Sequence, residues 1–417
     1  MKDLHLDAQD AVLVGTVDIS SAGNGTRMLL GDLDGDGRME MVLKQPDGGI
    51  DDRYVPHEVQ CLTAFDLDGN QLWQVGEPDP DVRGSGSDMP AQIWDIDGDG
   101  NLEVVCVMQD QFRVLDGKTG QLKYAYDLPD PDAHDCIVIC NLTGSEHAQD
   151  VILKNRYRKM WAMDKEFNVL WTHGGNPGHF PWPHDIDGDG CDEILAGYEM
   201  LDHDGKKLWS CLPLDDHADC LYFEHKKGHI VIGGSVTVKY DFAGNELWRY
   251  NGSIESQHVA LGRFRSDSDE ILIAGLDRIE RGRNGIDGMF LLSSEGTELW
   301  KENRKSRGWL TIIDTLSNWD GTDKDYIVAY RRGAGLLPGL YNGYGERVVN
   351  FSADGYLVYA DLLGHGRQDV IIYTNDQASI FSAEMCDLSR SVSGKPLEQN
   401  KRLSHATLYP GGEYPEV

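Results

Sequence analysis

Three nine-residue stretches carry carboxylates at alternate positions. They are Asp32-Leu-Asp-Gly-Asp-Gly-Arg-Met-Glu40, Asp95-Ile-Asp-Gly-Asp-Gly-Asn-Leu-Glu103 and Asp185-Ile-Asp-Gly-Asp-Gly-Cys-Asp-Glu193. Alternating acids, turn glycines and a closing Glu give an oxygen cage suited to a hard cation. In an EF-hand the closing Glu comes later and helices flank the loop, whereas strand-like runs follow each copy here. The expected ligands of the first cage are Asp32, Asp34, Asp36 and Glu40, with the Arg38 backbone carbonyl. The second would use Asp95, Asp97, Asp99 and Glu103, with Asn101 at the Arg38 register, and the third Asp185, Asp187, Asp189 and Glu193, with Cys191 there. All-oxygen donors on a flexible loop favour Ca²⁺ over the smaller, stricter Mg²⁺. The competing reading is a metal-free Asx turn. Degenerate copies starting at Asn141, Arg263 and Asp361 lack the full acid set and fit that reading.

The loops sit inside a longer repeated unit, which sets the architecture. The first copy runs from a strand at Met28 to Leu30 through the Asp loop to a second strand at Glu40 to Leu43. A third strand follows at Cys61 to Phe65, then the turn Asp66-Leu-Asp-Gly-Asn70 and a fourth strand carrying Trp73. Four short strands joined by Gly/Asp turns are the pattern of a propeller blade. The pair Leu-Trp returns at Leu72-Trp73, Leu170-Trp171, Leu208-Trp209, Leu247-Trp248 and Leu299-Trp300, a register expected to pack blade on blade. Eight units can be followed, beginning near residues 27, 90, 135, 180, 217, 257, 309 and 355. The expectation is an all-β chain forming one eight-bladed β-propeller of four-stranded antiparallel blades, with seven blades as the alternative. Residues 11–17 would supply the strand missing from the last unit and close the ring, and residues 389–417 would form a surface tail.

A propeller's first strands line the channel, so the loops before them open opposite the Asp loops. Polar residues gather at that register: Asp88, His134, His179, His217, Asp219, His258, Arg307 and Asp354. Four of the fourteen histidines fall there, which points to a converging site. The loops after the second strands add Lys44, Lys154, Asn155, Arg156, Tyr157, Tyr198, Arg278, Arg281, Arg331, Arg332 and Tyr341. Basic and aromatic side chains at one end of an acidic chain suit an acidic glycan, with Arg on uronate carboxylates and aromatic rings on sugar faces.

The bulk composition narrows the classes. The 417 residues carry 70 acids against 38 Lys and Arg, a formal charge of −32. That excess argues against nucleic acid, which requires basic surface. No apolar run reaches membrane-span length, and the N-terminus shows no apolar signal core. Of the eight cysteines, Cys106, Cys136, Cys140 and Cys220 lie in apolar runs, and the thiols read as reduced. A cytoplasmic monomer is the expectation.

The passage Leu30-Gly-Asp-Leu-Asp-Gly-Asp-Gly-Arg-Met-Glu-Met-Val-Leu-Lys44 resembles the first blade of the rhamnogalacturonan lyases of polysaccharide lyase family eleven. Leu62-Thr-Ala-Phe-Asp-Leu-Asp-Gly-Asn-Gln-Leu-Trp73 follows in the expected place. His184 to Ile194 with Leu201-Asp-His-Asp-Gly-Lys206 resembles the central blade, and Ala360-Asp-Leu-Leu-Gly-His-Gly-Arg367 the last. Asp216-His-Ala-Asp219 stands where the family has a His-Gly-Asp segment. The resemblance implies a calcium-bearing eight-bladed propeller that cleaves uronate-containing polysaccharide by β-elimination. Such a lyase needs the carboxylate neutralised, a base for the C5 proton and an acid for the departing oxygen. The residues expected to serve are His179 or His134 as base, Tyr157 as acid, and Lys154 with Arg156 as carboxylate clamp. His217 and Asp219 are next, as a base pair or as ligands of a catalytic cation. Lys44, Asp88, Asn155, Tyr198, His258, Arg278, Arg307, Arg331 and Arg332 would contact substrate. A non-catalytic propeller binding acidic oligosaccharide is the rival expectation.

Overall fold

The structure, a computed structural model, describes residues 8–46, 58–81, 88, 90–211, 217–279, 286–305, 311–331, 337–397, 409 and 411–414. Its strands form eight sheets around a ring. Blade 1 comprises Arg27–Gly31, Glu40–Gln45, Cys61–Phe65 and Gln71–Gly76. Blade 2 comprises Ala91–Trp94, Glu103–Met108, Gln111–Asp116 and Leu122–Asp127. Blade 3 opens with Cys136–Cys140 and Asp150–Asn155, blade 4 with Trp182–His184 and Glu193–Ala196, and blade 5 with Cys220–Glu224 and His229–Gly233. Blades 6, 7 and 8 open with Ser256–Gly262, Thr311–Ser317 and Tyr356–Ala360. Each first strand is antiparallel to the second, so the Asp loops all lie at one end of the ring, the lower mouth. The loops entering the first strands lie at the upper mouth.

The ring closes through a strand near the N-terminus. Val12–Asp18 pairs antiparallel with Gln377–Ser382 and becomes the outer strand of blade 8. Apolar side chains of that strand and of blade 8 then pack with Met28, Leu30 and Met41 of blade 1, so the core runs around the whole ring.

The Leu-Trp pairs are joints between blades. Trp73 Nε1–H donates to Gly117 O of blade 2 at 2.8 Å, and Trp171 reaches His203 O of blade 4 at 2.7 Å. Trp209, Trp248 and Trp300 repeat the bond to Phe242 O, Ser294 O and Gly343 O. A turn glycine of the next blade lies flat on the indole in most of these joints. At Gly205, φ is +80° and a Cβ would come within 2.6 Å of the Trp171 ring. The leucine before each tryptophan stands at a β-bulge, and Leu72, Leu170, Leu208, Leu247 and Leu299 are exposed.

The tail departs from the surface position expected of it. Gly412–Glu413 pairs in parallel with the innermost strand of blade 5, Tyr222 facing Gly412 and Phe223 facing Glu413. Tyr409 and Tyr414 are buried. Glycines make this passage possible: a Cβ on Gly411 would meet Leu221 O at 2.4 Å, and one on Gly412 the Trp182 ring at 2.7 Å. Polar composition concealed a segment that binds through its backbone.

Candidate functional site

Four loops of the upper mouth and one hairpin bring the expected residues together. Asp88 precedes blade 2, Asp135 blade 3, His179 blade 4, and His217 with Asp219 blade 5. The second strand of blade 3 ends in Lys154-Asn155, and its turn at residues 156–158 carries Arg156 and Tyr157. Backbone bonds lock the loops, His179 N–H donating to Ala218 O at 3.2 Å and Asp219 N–H to Gly233 O at 2.9 Å.

His179 is the hub. Its Nδ1 lies 3.3 Å from Asp88 Oδ2 and its Nε2 lies 3.1 Å from the Tyr157 hydroxyl. The same Nε2 stands 3.6 Å from Asp219 Oδ1, which His217 Nε2 approaches at 3.4 Å. The Tyr157 and His217 rings pack at 4.6 Å between centroids. Only 1% of the His179 side chain is exposed, against 14% for His217, and Tyr157 is half-buried. Tyr157 and His217 are therefore the members that solvent reaches, and His179 is the buried one.

The pair expected to clamp a carboxylate, Lys154 and Arg156, meets two acids of the chain itself. Lys154 Nζ pairs with Asp135 and lies 3.3 Å from Asp88 Oδ2, with only 1% of its side chain exposed. Arg156 Nη1 lies 3.4 Å from Asp88 and 3.9 Å from Asp135. Burial alone would lower the Lys154 pKa, but Asp135 and Asp88 more than offset it and raise it above the ordinary lysine value. The Arg156 guanidinium is likewise raised against desolvation by the same two acids. Two cations thus balance two buried carboxylates, because neither charge is tolerated alone away from water. Asp135, adjacent to His134, is a member that the sequence reading passed over.

A second omission is Tyr409. Its ring stacks on His179 with centroids 3.4 Å apart at 13°, and meets His258 edge-on at 5.5 Å. Gln257 Nε2 lies 3.4 Å from its hydroxyl. No local signal marks this residue; it arrives because the tail folds back into the ring.

The other expected contacts are distributed unevenly. His258 joins through Tyr409, and Tyr198 donates its hydroxyl hydrogen to His217 O at 3.3 Å. Arg278 Nη1 is held by Glu255 at 2.8 Å and stays partly exposed. Lys44 is buried at the upper end of blade 1, facing Arg27 across the strand pair. Asn155 closes the second strand of blade 3, and His134 N–H donates to Asp132 O at 3.1 Å. Arg331 ends the second strand of blade 7. Arg307, Arg332 and Arg281 lie outside the described residues.

At the lower mouth the three Asp loops share one geometry. Asp32, Asp95 and Asp185 each accept the N–H of the loop's second glycine at 3.0–3.1 Å. Glu40, Glu103 and Glu193 each accept the N–H of the loop's second residue at 2.7–3.0 Å. The second glycines, Gly37, Gly100 and Gly190, need φ of +86°, +88° and +90°. In the first loop burial pushes Glu40 up to about 8, with Asp34, Asp32 and Asp36 adding to the rise. Burial likewise pushes Glu193 up to about 7 beside Asp187 and Asp189. Four acids on one nine-residue loop, two of them buried in the first copy, suit a hard dication by donor chemistry.

The second loop differs. Lys123 Nζ lies 2.7 Å from Asp97, 3.1 Å from Asp99 and 2.8 Å from Glu103. Lys123 stands at the bulge position that leucine holds in the Leu-Trp blades, with Tyr124 at the tryptophan register. The expected calcium cage of Asp95, Asp97, Asp99 and Glu103 thus has an ammonium of the chain's own among its acids. A smaller exchange occurs in blade 8, where His365 lies 3.0 Å from Asp369 and 3.5 Å from Asp361.

The architecture and the two mouths define a class: an eight-bladed propeller with acidic loops below and a polar imidazole basin above. Residues 7–124 match the family profile described as rhamnogalacturonan lyase family 11, C-terminal domain. The rhamnogalacturonan exolyase YesX of Bacillus subtilis (strain 168) is 23% identical over 432 residues, covering 84% of this chain and 69% of that protein. The rhamnogalacturonan endolyase YesW of the same organism is 25% identical, over 84% of this chain and 66% of that protein. The crystal structure of the exotype lyase YesX superposes with a TM-score of 0.69 at 19% identity, over 98% of this chain and 80% of that one. The chain is rhamnogalacturonan lyase-like in sequence and fold, and it spans about two thirds of the curated relatives it matches.

Proposed function

We propose that this protein is a lyase that cleaves a uronate-containing, rhamnogalacturonan-like glycan by β-elimination at the upper mouth. The observation that carries the reading is the chain Asp88–His179–Tyr157, with links of 3.3 and 3.1 Å ending at the hydroxyl of a half-buried tyrosine. Asp88 holds Nδ1–H and so turns the Nε2 lone pair toward the Tyr157 hydroxyl. Tyr157 is then the group that meets the sugar and moves the proton, with His179 as its reservoir. His217, beside it and partly exposed, is placed to take the second proton role. The elimination breaks the C5–H and C4–O bonds and leaves a C4–C5 double bond, the leaving oxygen taking a proton.

Positive charge at the uronate carboxylate is the remaining need, because Lys154 and Arg156 already pair inward. Arg278 at the rim is one source. His179, His217 and Asp219 also offer three donor atoms within 4.8 Å of one another. In place of the second proton role, His217 with Asp219 would hold a divalent cation that polarises the carboxylate and acidifies C5–H. Calcium in the first and third Asp loops is a structural element of the same proposal. The burial of Cys61, Cys106, Cys136, Cys211 and Cys220 as thiols in the apolar core favours a reducing compartment as its working place.

The test is the ultraviolet absorbance of the unsaturated product from rhamnogalacturonan and its oligosaccharides. Tyr157→Phe and His179→Ala should each lower kcat by about 100-fold or more, the scale of a lost proton-transfer group. Full rate in Tyr157→Phe would remove Tyr157 from the chemistry. Tight oligosaccharide binding by the unaltered protein with no absorbance would favour a binding propeller.

A further inference from the structure

A separate cluster lies at the lower mouth, away from the basin above. His184 ends the first strand of blade 4, and His225 lies in a surface turn after the first strand of blade 5. His184 Nε2 and His225 Nδ1 are 2.7 Å apart. On its other edge, His184 Nδ1 lies 3.1 Å from Glu413 Oε1, which the folded-back tail delivers. Donor atoms of the three residues lie within 4.8 Å of one another. They border an open cavity of about 600 Å³, lined also by Asp185, Asp187 and Asp192.

We infer that His184 and His225 bind a zinc-class transition-metal ion at this mouth, with Glu413 orienting His184 from behind. The donor chemistry separates this site from the Asp loops, since imidazole nitrogens select zinc-like ions and all-oxygen cages select calcium. Glu413 accepting Nδ1–H fixes the tautomer and leaves the Nε2 lone pair pointing at His225, the carboxylate–histidine–metal arrangement. Tetrahedral ligands at ordinary Zn–N lengths lie ~3.3 Å apart, so the two nitrogens need to part by about half an ångström. His225 sits in an exposed turn and can make that adjustment. The cavity admits water to the remaining coordination positions. Because Glu413 belongs to the tail that also carries Tyr409, the ion would fasten the tail at its lower end.

The experiment is calorimetric titration of the full chain with Zn²⁺ in excess Ca²⁺, which keeps the carboxylate loops filled. One tight zinc is expected at this mouth in a His217→Ala background, which removes the imidazole–carboxylate set of the upper mouth, and Co²⁺ in its place should give the visible bands of nitrogen ligation. His225→Ala should weaken zinc binding at least about 100-fold, and Glu413→Gln about 10–100-fold, the usual cost of losing an orienting carboxylate. In the same background His203→Ala, which alters the neighbouring Asp189–Cys191–His203 group, should leave it unchanged. Absence of zinc binding overturns the inference. So does zinc binding that survives His225→Ala, or that disappears in His203→Ala. Circular dichroism of His225→Ala should match the parent because the side chain is outside the core; if it does not, Glu413→Gln and the Co²⁺ spectrum decide.

Discussion

Lys123→Leu should convert the second Asp loop into a calcium site. Leucine is the residue at the same bulge position in blades 1, 3, 4, 5 and 6, so the backbone accepts it without strain. The substitution leaves Asp95, Asp97, Asp99 and Glu103 facing one another without the ammonium that lies 2.7–3.1 Å from three of them. Glu103 is almost fully buried, whereas Lys123 retains 21% exposure, so the network stands between a surface pair and a buried one. Exposed pairs contribute about 0–1 kcal/mol and breaking a buried pair costs about 3–5, which puts the loss near 2 kcal/mol in chelator. Calcium at a hundred times its dissociation constant returns about 2.7 kcal/mol, enough to offset it. Metal analysis of calcium-loaded, desalted protein should find one more Ca²⁺ per chain than in the parent. Thermal melts should show the variant lower by a few degrees at most in EDTA and restored by calcium. An unchanged metal count, together with an unchanged melt in EDTA, would refute the idea that Lys123 stands in for the ion.

In chelator, the parent should lose stability as pH rises from about 4.5 to about 8, because Glu40 is harder to ionise folded than unfolded. Calcium should flatten that slope, and melts across this range in EDTA and in calcium check it. His365 has the same sign: the Asp369 hydrogen bond raises its folded pKa, so its contribution is full below the unfolded value of 6.5 and fades as pH rises through the raised one. The melting difference between parent and His365→Gln should therefore shrink from pH 5.5 toward pH 8.5. Tyr409→Ala should lower kcat more than it changes KM and shift the pH profile, since the ring covers one face of His179; Tyr409→Phe should restore both. Equal profiles for the alanine variant and the parent would make the tail a plug without a positioning role.

The fold was legible because its signals are local and repeated. Asp-Gly turns, four short apolar runs and a tryptophan at a fixed register specify one blade, and repetition with polar edges specifies a ring. The acidic loops were legible for the same reason: all their donors lie within nine residues. The upper basin was half legible. Loop register placed His179, His217, Asp219, Asp88 and Tyr157 at one end, but the direction of Lys154 and Arg156 depends on two carboxylates that reach them from other loops.

What the sequence determined by itself is periodicity: strand, turn, strand, and the acids that ride on the turns. What only the tertiary structure decided is which charges meet. Lys123 neutralises a loop twenty residues upstream of it because a bulge points it there, and Tyr409 and Glu413 enter the two mouths because a glycine-bearing tail fits between blades. These outcomes depend on through-space packing and desolvation, which local composition does not encode: a buried charge selects whatever opposite charge closure of the ring brings within reach.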